Sequence, residues 1–208
     1  MNVYDFDKTI FYPDSSVTFV KWEMKRHPLI FLRCLPVALW HGLLYLLKIM
    51  SKEQLKEGAM RFIRYLPNID AELETYWNEH ESWICPWYLK QQRPDDLVIS
   101  ASPEFVVKPM TDRLGIRLIA TNMDKHTAKI DGLNCHGDEK VRRCYKEFPE
   151  DTVVENFYSD SLTDTPLAKL ADKAYLIVDK GQTPVPWPGK YKKPAAEIKL
   201  CGGFAYFT

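Results

Sequence analysis

Short apolar runs separated by polar turns recur through the second half of the chain, while the first half carries helical spacing. From about residue 95 the runs at 96–100, 117–121, 152–158 and 174–178 read as strands. Between them lie amphipathic stretches at about 138–148 and 164–171 and a helix from Ser102 to near Gly115, with Pro103 at the favoured first position. Ile130-Asp131-Gly132-Leu133 predicts a turn into a short strand. Residues 1–10 predict one more short strand and a loop. Residues 14–92 lack strand formers, and Leu55, Ala59, Phe62, Ile63 and Leu66 keep helical spacing. Ser51 with Gln54 three residues on predicts a capped start for that helix, and Pro67-Asn68 its end.

Strands alternating with helices imply an α/β fold with a parallel sheet covered on both faces. The chain therefore divides into a Rossmann-like core, residues 1–13 and 93–208, and a helical insertion, residues 14–92. Residues 183–189 read as a stiff extended loop, and 198–200 with 204–207 as an added edge strand. A chain of 208 residues, 46% hydrophobic and 27% charged, is enough for one compact unit with a real core. Acids and bases balance at 28 each, and no basic run is dense enough for a nucleic-acid footprint. Five widely spaced cysteines with no C-x-x-C pair argue against a zinc site and for free thiols in a reducing cytosol. The start of the chain lacks the basic and apolar regions of a cleaved leader, so a cytoplasmic location is expected.

The chemistry concentrates in four segments. Asp5-Phe6-Asp7-Lys8-Thr9 follows the first strand, placing one carboxylate at its tip and another just beyond. Ligands of open α/β sheets bind at that edge. One carboxylate there can attack phosphorus while the other handles the proton of the leaving group. Further on come Ser100-Ala101-Ser102 at a strand end, Lys140 at the start of a helix, and Ser159-Asp160-Ser161-Leu162-Thr163-Asp164 after Tyr158.

These segments, in this order, resemble the four motifs of the haloacid dehalogenase-like (HAD) phosphatases, and within them the phosphoserine-phosphatase-like branch. The resemblance covers the chain to about residue 180. It implies a HAD core with a helical cap inserted after the first motif. It also implies Mg²⁺-dependent phosphomonoester hydrolysis through an aspartyl-phosphate. In those terms Asp5 is the nucleophile and a Mg²⁺ ligand, and Asp7 is the general acid and base, giving its backbone carbonyl to the metal. Asp160 is the third protein ligand. Ser100, the Ala101 amide and Lys140 bind the substrate phosphate, with Thr9 and Asp164 supporting. The charge count agrees: Asp5, Asp160 and Asp164 with a phosphate dianion leave the site over-negative against Lys140 alone, and hard oxygen ligands suit Mg²⁺.

Two departures from the branch pattern bear on specificity. Ser159 and Ser161 stand where glycines are usual, and the second motif reads Ser-Ala-Ser rather than Ser-Gly-Gly. Both weaken phosphoserine as substrate. A small phosphorylated metabolite and a lipid head-group phosphate stay open. So do phosphotransfer to an alcohol and a non-catalytic phosphate-binding or scaffold role. Arg33, Arg61 and Arg64 are candidates for a substrate-carboxylate clamp.

Residues 28–50 are the most apolar part of the chain, broken chiefly by Arg33, His41 and Lys48. The uncharged run from Cys34 to Leu47, with Pro36 and Gly42 inside it, is too short to span a bilayer. The remaining readings are a buried or dimer-paired cap helix, and a basic-flanked helix resting on a membrane surface.

Overall fold

The computed structural model describes residues 1–149, 152–179 and 182–189. Among these, six strands form one sheet in the order β3-β2-β1-β4-β5-β6. They are β1 (Asn2–Tyr4), β2 (Leu97–Pro103), β3 (Arg117–Thr121), β4 (Val154–Ser159), β5 (Ala171–Val178) and β6 (Thr183–Pro186). The first five run parallel and β6 lies antiparallel to β5. β1 sits in the middle, flanked by β2 and β4, so the chain winds outward from it in both directions. That reversal opens a crevice at the carboxyl ends of β1 and β4.

Strand alternation sorts the core into two layers. Val3, Leu97, Ile99 and Phe157 point to one face, against Cys144 of α7 (Asp138–Glu147) and Leu167 of α8 (Thr165–Ala168). Tyr4, Val98 and Tyr158 point to the other, with Val106, Val107 and Met110 of α6 (Glu104–Leu114). Tyr4, Tyr158 and Tyr175 stack across three neighbouring strands, with ring centroids 4.9 Å apart at each step.

The segment between β1 and β2 is helical: α1 (Ser15–Arg26), α2 (Pro28–Leu46), α3 (Lys52–Met60), α4 (Ile69–His80) and the single turn α5 (Pro86–Leu89). Ser51 and Gln54 form the reciprocal cap that the sequence predicts. The helix does not run on to Leu66; α3 stops at Met60 and a 3₁₀ turn, Arg61–Tyr65, buries Phe62 and Ile63. α4 packs on α6, and its Trp77 is buried edge-on against Phe6 and Phe11 while its indole N–H donates to the Val106 carbonyl.

Other boundaries shift for physical reasons. β2 continues to Pro103, because Pro103 still pairs with Thr121 after a bulge, so α6 begins at Glu104 rather than Ser102. It ends at Gly115, whose φ of 67° suits a residue without Cβ. The predicted helix at 164–171 shrinks to one turn, since β5 takes over at Ala171. The turn at 130–133 leads only to an isolated bridge between Met123 and Ile130. The stretch read as a stiff loop at 183–189 includes β6, an edge strand of the kind that tolerates proline. The edge strand expected at 198–207 lies outside the described residues.

α2 differs most from its expectation. Pro36 sits inside a continuous helix of 19 residues, long and apolar enough by composition to cross a membrane. None of its residues is fully buried, so the buried-helix reading does not hold. Lys48 lies beyond its end, at a φ of 59°.

At the base of this layer Glu23 of α1 is fully buried, and neither carboxylate oxygen has a hydrogen-bond partner. It faces His27, with Nε2 3.7 Å away, while Glu72 of α4 takes His27 at 3.1 Å and Arg26 at 3.1 Å. Burial, reinforced by the Glu72 charge and opposed by Arg26, pushes the Glu23 carboxyl up to about 8. The folded state then holds a proton that the unfolded chain releases at ordinary glutamate pH. This contribution to stability is complete below the unfolded value and is lost as pH rises through about 8. Glu23→Gln should therefore gain stability relative to wild type as pH rises from acid to mildly alkaline. Urea melts at several pH values check this; parallel pH profiles for the two proteins would refute it.

Candidate active site

The end of β1 delivers the first two carboxylates. The Asp5 N–H donates to the Tyr158 carbonyl at 2.8 Å, continuing the β1–β4 ladder one residue past the strand. The chain then folds over itself. The Phe6 carbonyl accepts from the N–H groups of Thr9, Ile10 and Phe11 at 3.0–3.3 Å, and Lys8 takes a φ of 56°. A left-handed lysine is strained by roughly 1–2 kcal/mol, and buried Phe6, Ile10 and Phe11 hold the turn in place. The Ser15 N–H donates to Asp7 Oδ1 at 2.6 Å, and the Ser102 hydroxyl donates to Asp7 Oδ2. Burial first, then the Asp14 charge, pushes Asp7 up to about 6, against the hydrogen bonds from Ser102 and Ser15.

Lys140 closes the other side. Its ammonium donates to Asp5 Oδ1 at 2.6 Å and Asp164 Oδ2 at 2.7 Å, and all three residues are buried. Burial opposes its charge, but Asp5 and Asp164 outweigh that and raise its pKa above that of an ordinary lysine. Burial likewise raises Asp5, with Lys140 pulling the other way and Asp164 and Asp7 adding to the rise. Ser159 Oγ donates to Asp164 Oδ2 at 2.8 Å, so the serine standing in for a glycine orients this carboxylate. Thr9 Oγ1 accepts the Asp160 N–H at 3.1 Å and ties the first acidic loop to the last.

Asp5, Asp7, Ala101, Lys140, Asp160 and Asp164 all line one cavity of about 580 Å³. Ser100 does not line it: this side chain is buried, and its Oγ accepts the Ser102 N–H at 3.0 Å. Of the two serines in this motif it is Ser102 that lines the cavity. Because α6 starts only at Glu104, the helix end expected behind Ser100 and Ala101 lies further along the chain. Arg33, Arg61 and Arg64 are absent from the cavity lining, and Arg33 stacks over the Tyr65 ring at 4.7 Å.

The cavity also contains residues to which the sequence reading gave no role. Lys56 of α3 donates to the Ala101 carbonyl at 2.6 Å and to Asn134 Oδ1 at 2.7 Å. Thr121 Oγ1 donates toward the same two oxygens at 2.7 and 2.9 Å. Ser102 was legible in principle: two residues past Ser100 on an extended strand, it shares a face with it. Lys56 was not, because one lysine on a helix carries no signal of what it reaches.

The donor set suits a hard divalent cation. Asp5, Asp7, Asp14, Asp160 and Asp164 share the cavity with Lys8, Lys21, Lys56 and Lys140. The Asp160 carboxyl is raised by burial and by Asp164, with Lys8 and Lys140 opposing. Asp5 and Asp160 would hold the ion by carboxylate oxygens. Asp7, whose carboxylate is engaged by Ser15 and Ser102, would offer its backbone carbonyl.

The profile of the haloacid dehalogenase-like hydrolases matches residues 3–169. Protein CicA of Caulobacter vibrioides is 27% identical over 197 residues, covering 84% of either chain. A crystal structure of a protein of unknown function from Bordetella pertussis Tohama I superposes with a TM-score of 0.61 at 18% identity, over 85% of this chain and 89% of that one. A phosphoserine phosphohydrolase-like protein from Francisella tularensis gives 0.51 at 14% identity, over 86% and 88%. The two structures share the fold.

Replacing Lys140 by Met removes the cation between two buried carboxylates. The variant is expected to lose about 3–5 kcal/mol of stability, the usual cost of stranding a buried charge. Equilibrium urea unfolding measures it, and a loss below about 1 kcal/mol would show that the ammonium is not compensating these carboxylates.

Proposed function

The chain belongs to the haloacid dehalogenase-like hydrolases, and on that footing we propose that it is a Mg²⁺-dependent phosphomonoester hydrolase acting through an aspartyl-phosphate on Asp5. The observation carrying this reading is the gathering of Asp5, Asp7, Ala101, Lys140, Asp160 and Asp164 from four distant segments around one cavity. Phosphoserine-like substrates fit poorly with the Ser-Ala-Ser and Ser159/Ser161 departures. The candidate substrates are a small phosphorylated metabolite and a lipid head-group phosphate.

Mg²⁺ held by Asp5, Asp160 and the Asp7 carbonyl would supply positive charge against the phosphate dianion. Lys140 fixes Asp5 through one of its three N–H groups and Asp164 through another, which leaves a third for a phosphate oxygen. The tip of β2 brings the Ala101 backbone to the same place. Asp5 attacks phosphorus, the P–O bond to the leaving group breaks, and the departing oxygen takes a proton from Asp7. A carboxyl held near 6 can be both donor here and acceptor in the second half, when it removes a proton from the water that attacks the acyl phosphate. Inorganic phosphate leaves and Asp5 is regenerated.

Asp5→Asn should lower turnover of an aryl phosphate at least about a thousandfold while circular dichroism stays unchanged. A chelator should stop the wild type and added Mg²⁺ restore it. Activity that survives in Asp5→Asn removes Asp5 from its role. Inactivity of the wild type across a broad phosphate-ester panel with Mg²⁺ would favour a binding protein instead.

Ser102→Ala leaves Asp7 held by Ser15. It should cost about tenfold or more on alkyl phosphates, whose leaving groups need a proton, and less on aryl phosphates, whose leaving groups do not. Equal losses on both ester types would mean that Ser102 does not act through the acid.

A further inference from the structure

α2 presents two apolar faces, and the protein covers only one. On the inner face Phe31 meets Phe62 with ring centroids 4.6 Å apart, and Cys34 packs against the main core. The His41 ring lies so close to Gly58 of α3 that a Cβ there would come within 2.1 Å of Nδ1. On the outer face Leu29, Leu32, Leu35, Leu39, Leu43 and Leu46 recur every three or four residues. Leu29 and Leu46 at the two ends are 79% exposed, Leu39 65% and Trp40 58%. An ordinary surface helix has a polar outer face. An apolar stripe along a whole 19-residue helix exceeds the scattered leucines of a soluble surface.

The charge around this helix is equally lopsided. Residues 21–64 carry nine Lys and Arg against three Asp and Glu, in a chain whose 28 bases and 28 acids cancel overall. Exposed Lys21 and Lys25 precede the helix, and exposed Lys48 and Lys52 follow it. Apolar stripe and basic collar together fit an anionic bilayer, with leucines below the headgroups and ammonium groups among them. A second copy docking through the same stripe would bring two like-charged collars together. The helix also cannot thread the membrane alone. Its inner face is joined to the body from Phe31 to His41, and α1 and α3, which pack on it, both line the cavity with Asp5.

We infer that α2 docks this protein onto anionic lipid bilayers, lying in the interface plane with its leucine face in the acyl region. The inference stands apart from the catalytic reading. It nonetheless places the cavity wall formed by Val17, Val20 and Lys21 of α1 and Lys56, Ala59 and Met60 of α3 beside the headgroup layer.

The test is co-sedimentation of the whole chain with vesicles of phosphatidylcholine and phosphatidylglycerol in equal parts. The wild type should pellet, should pellet far less with phosphatidylcholine alone, and should be released by raised salt. L39E/W40E lies wholly on the outer face. It should keep the wild-type circular dichroism spectrum and aryl phosphate turnover while its bound fraction falls at least about tenfold. Brominated acyl chains should quench tryptophan fluorescence in the wild type, and W40F should lose much of that quenching. A wild type that stays in the supernatant with anionic vesicles overturns the inference, as does a folded L39E/W40E that binds as well as wild type. A vesicle-indifferent wild type that sediments as a dimer, and that L39E/W40E converts to monomer, also overturns it by giving the stripe to a second copy. Vesicle binding without any aryl phosphate turnover upholds the docking and removes only the catalytic reading.

Discussion

A buried ammonium shared by two buried carboxylates is the constraint around which this molecule is arranged. Lys140 enters from the first turn of α7, Asp5 from the tip of β1, and Asp164 from the turn after β4. None of the three could be buried alone, because each charge taken out of water needs an opposite one within hydrogen-bonding reach. Their mutual need fixes where α7 sits over the sheet and which way the loop after β4 folds. Ser159 and Thr9 extend the same logic outward, one orienting Asp164 and the other joining the two acidic loops. The site is thus assembled by the same electrostatics that make burying its charges costly.

The sheet was legible because buried parallel strands announce themselves as apolar runs, and the four parallel strands beyond β1's short start all did so. Boundaries set by a partner strand were not. Nothing local to Ser102 or Pro103 says that Thr121 will extend the ladder past Ile99, and nothing at Ala171 says that β5 begins before the apolar positions do. The acidic positions were readable as a motif, since order and spacing carry that information. Within the Ser-Ala-Ser motif, the hydroxyl expected on the cavity wall at Ser100 is that of Ser102, since Ser100 is buried against the Ser102 N–H. Pro36 lies inside the continuous α2, between Phe31 and His41, which both pack on the body.

Hydrophobic and charged residues are segregated at two scales. Within the core, aromatic rings from β1, β4, β5 and α4 fill the layer under the insertion, with Trp77 at its centre. Along the chain, residues 21–64 carry nine bases against three acids, and the remaining residues carry nineteen against twenty-five. The two polarities meet at α1 and α3, which carry Lys21 and Lys56 into the cavity.

Lys56 gives that meeting point a mechanical meaning. It reaches from the inserted helices to the Ala101 carbonyl, at the turn that would cradle phosphate, and burial holds its pKa below that of an ordinary lysine. Separating α3 from β2 therefore takes the cation off a carbonyl that Thr121 still holds. An anion arriving in the cavity competes with that carbonyl for the same ammonium, so occupancy of the site and the grip between the two layers draw on a single set of N–H bonds. The latch on this enclosure is also part of its lining, and whatever fills the enclosure has a hand on the latch.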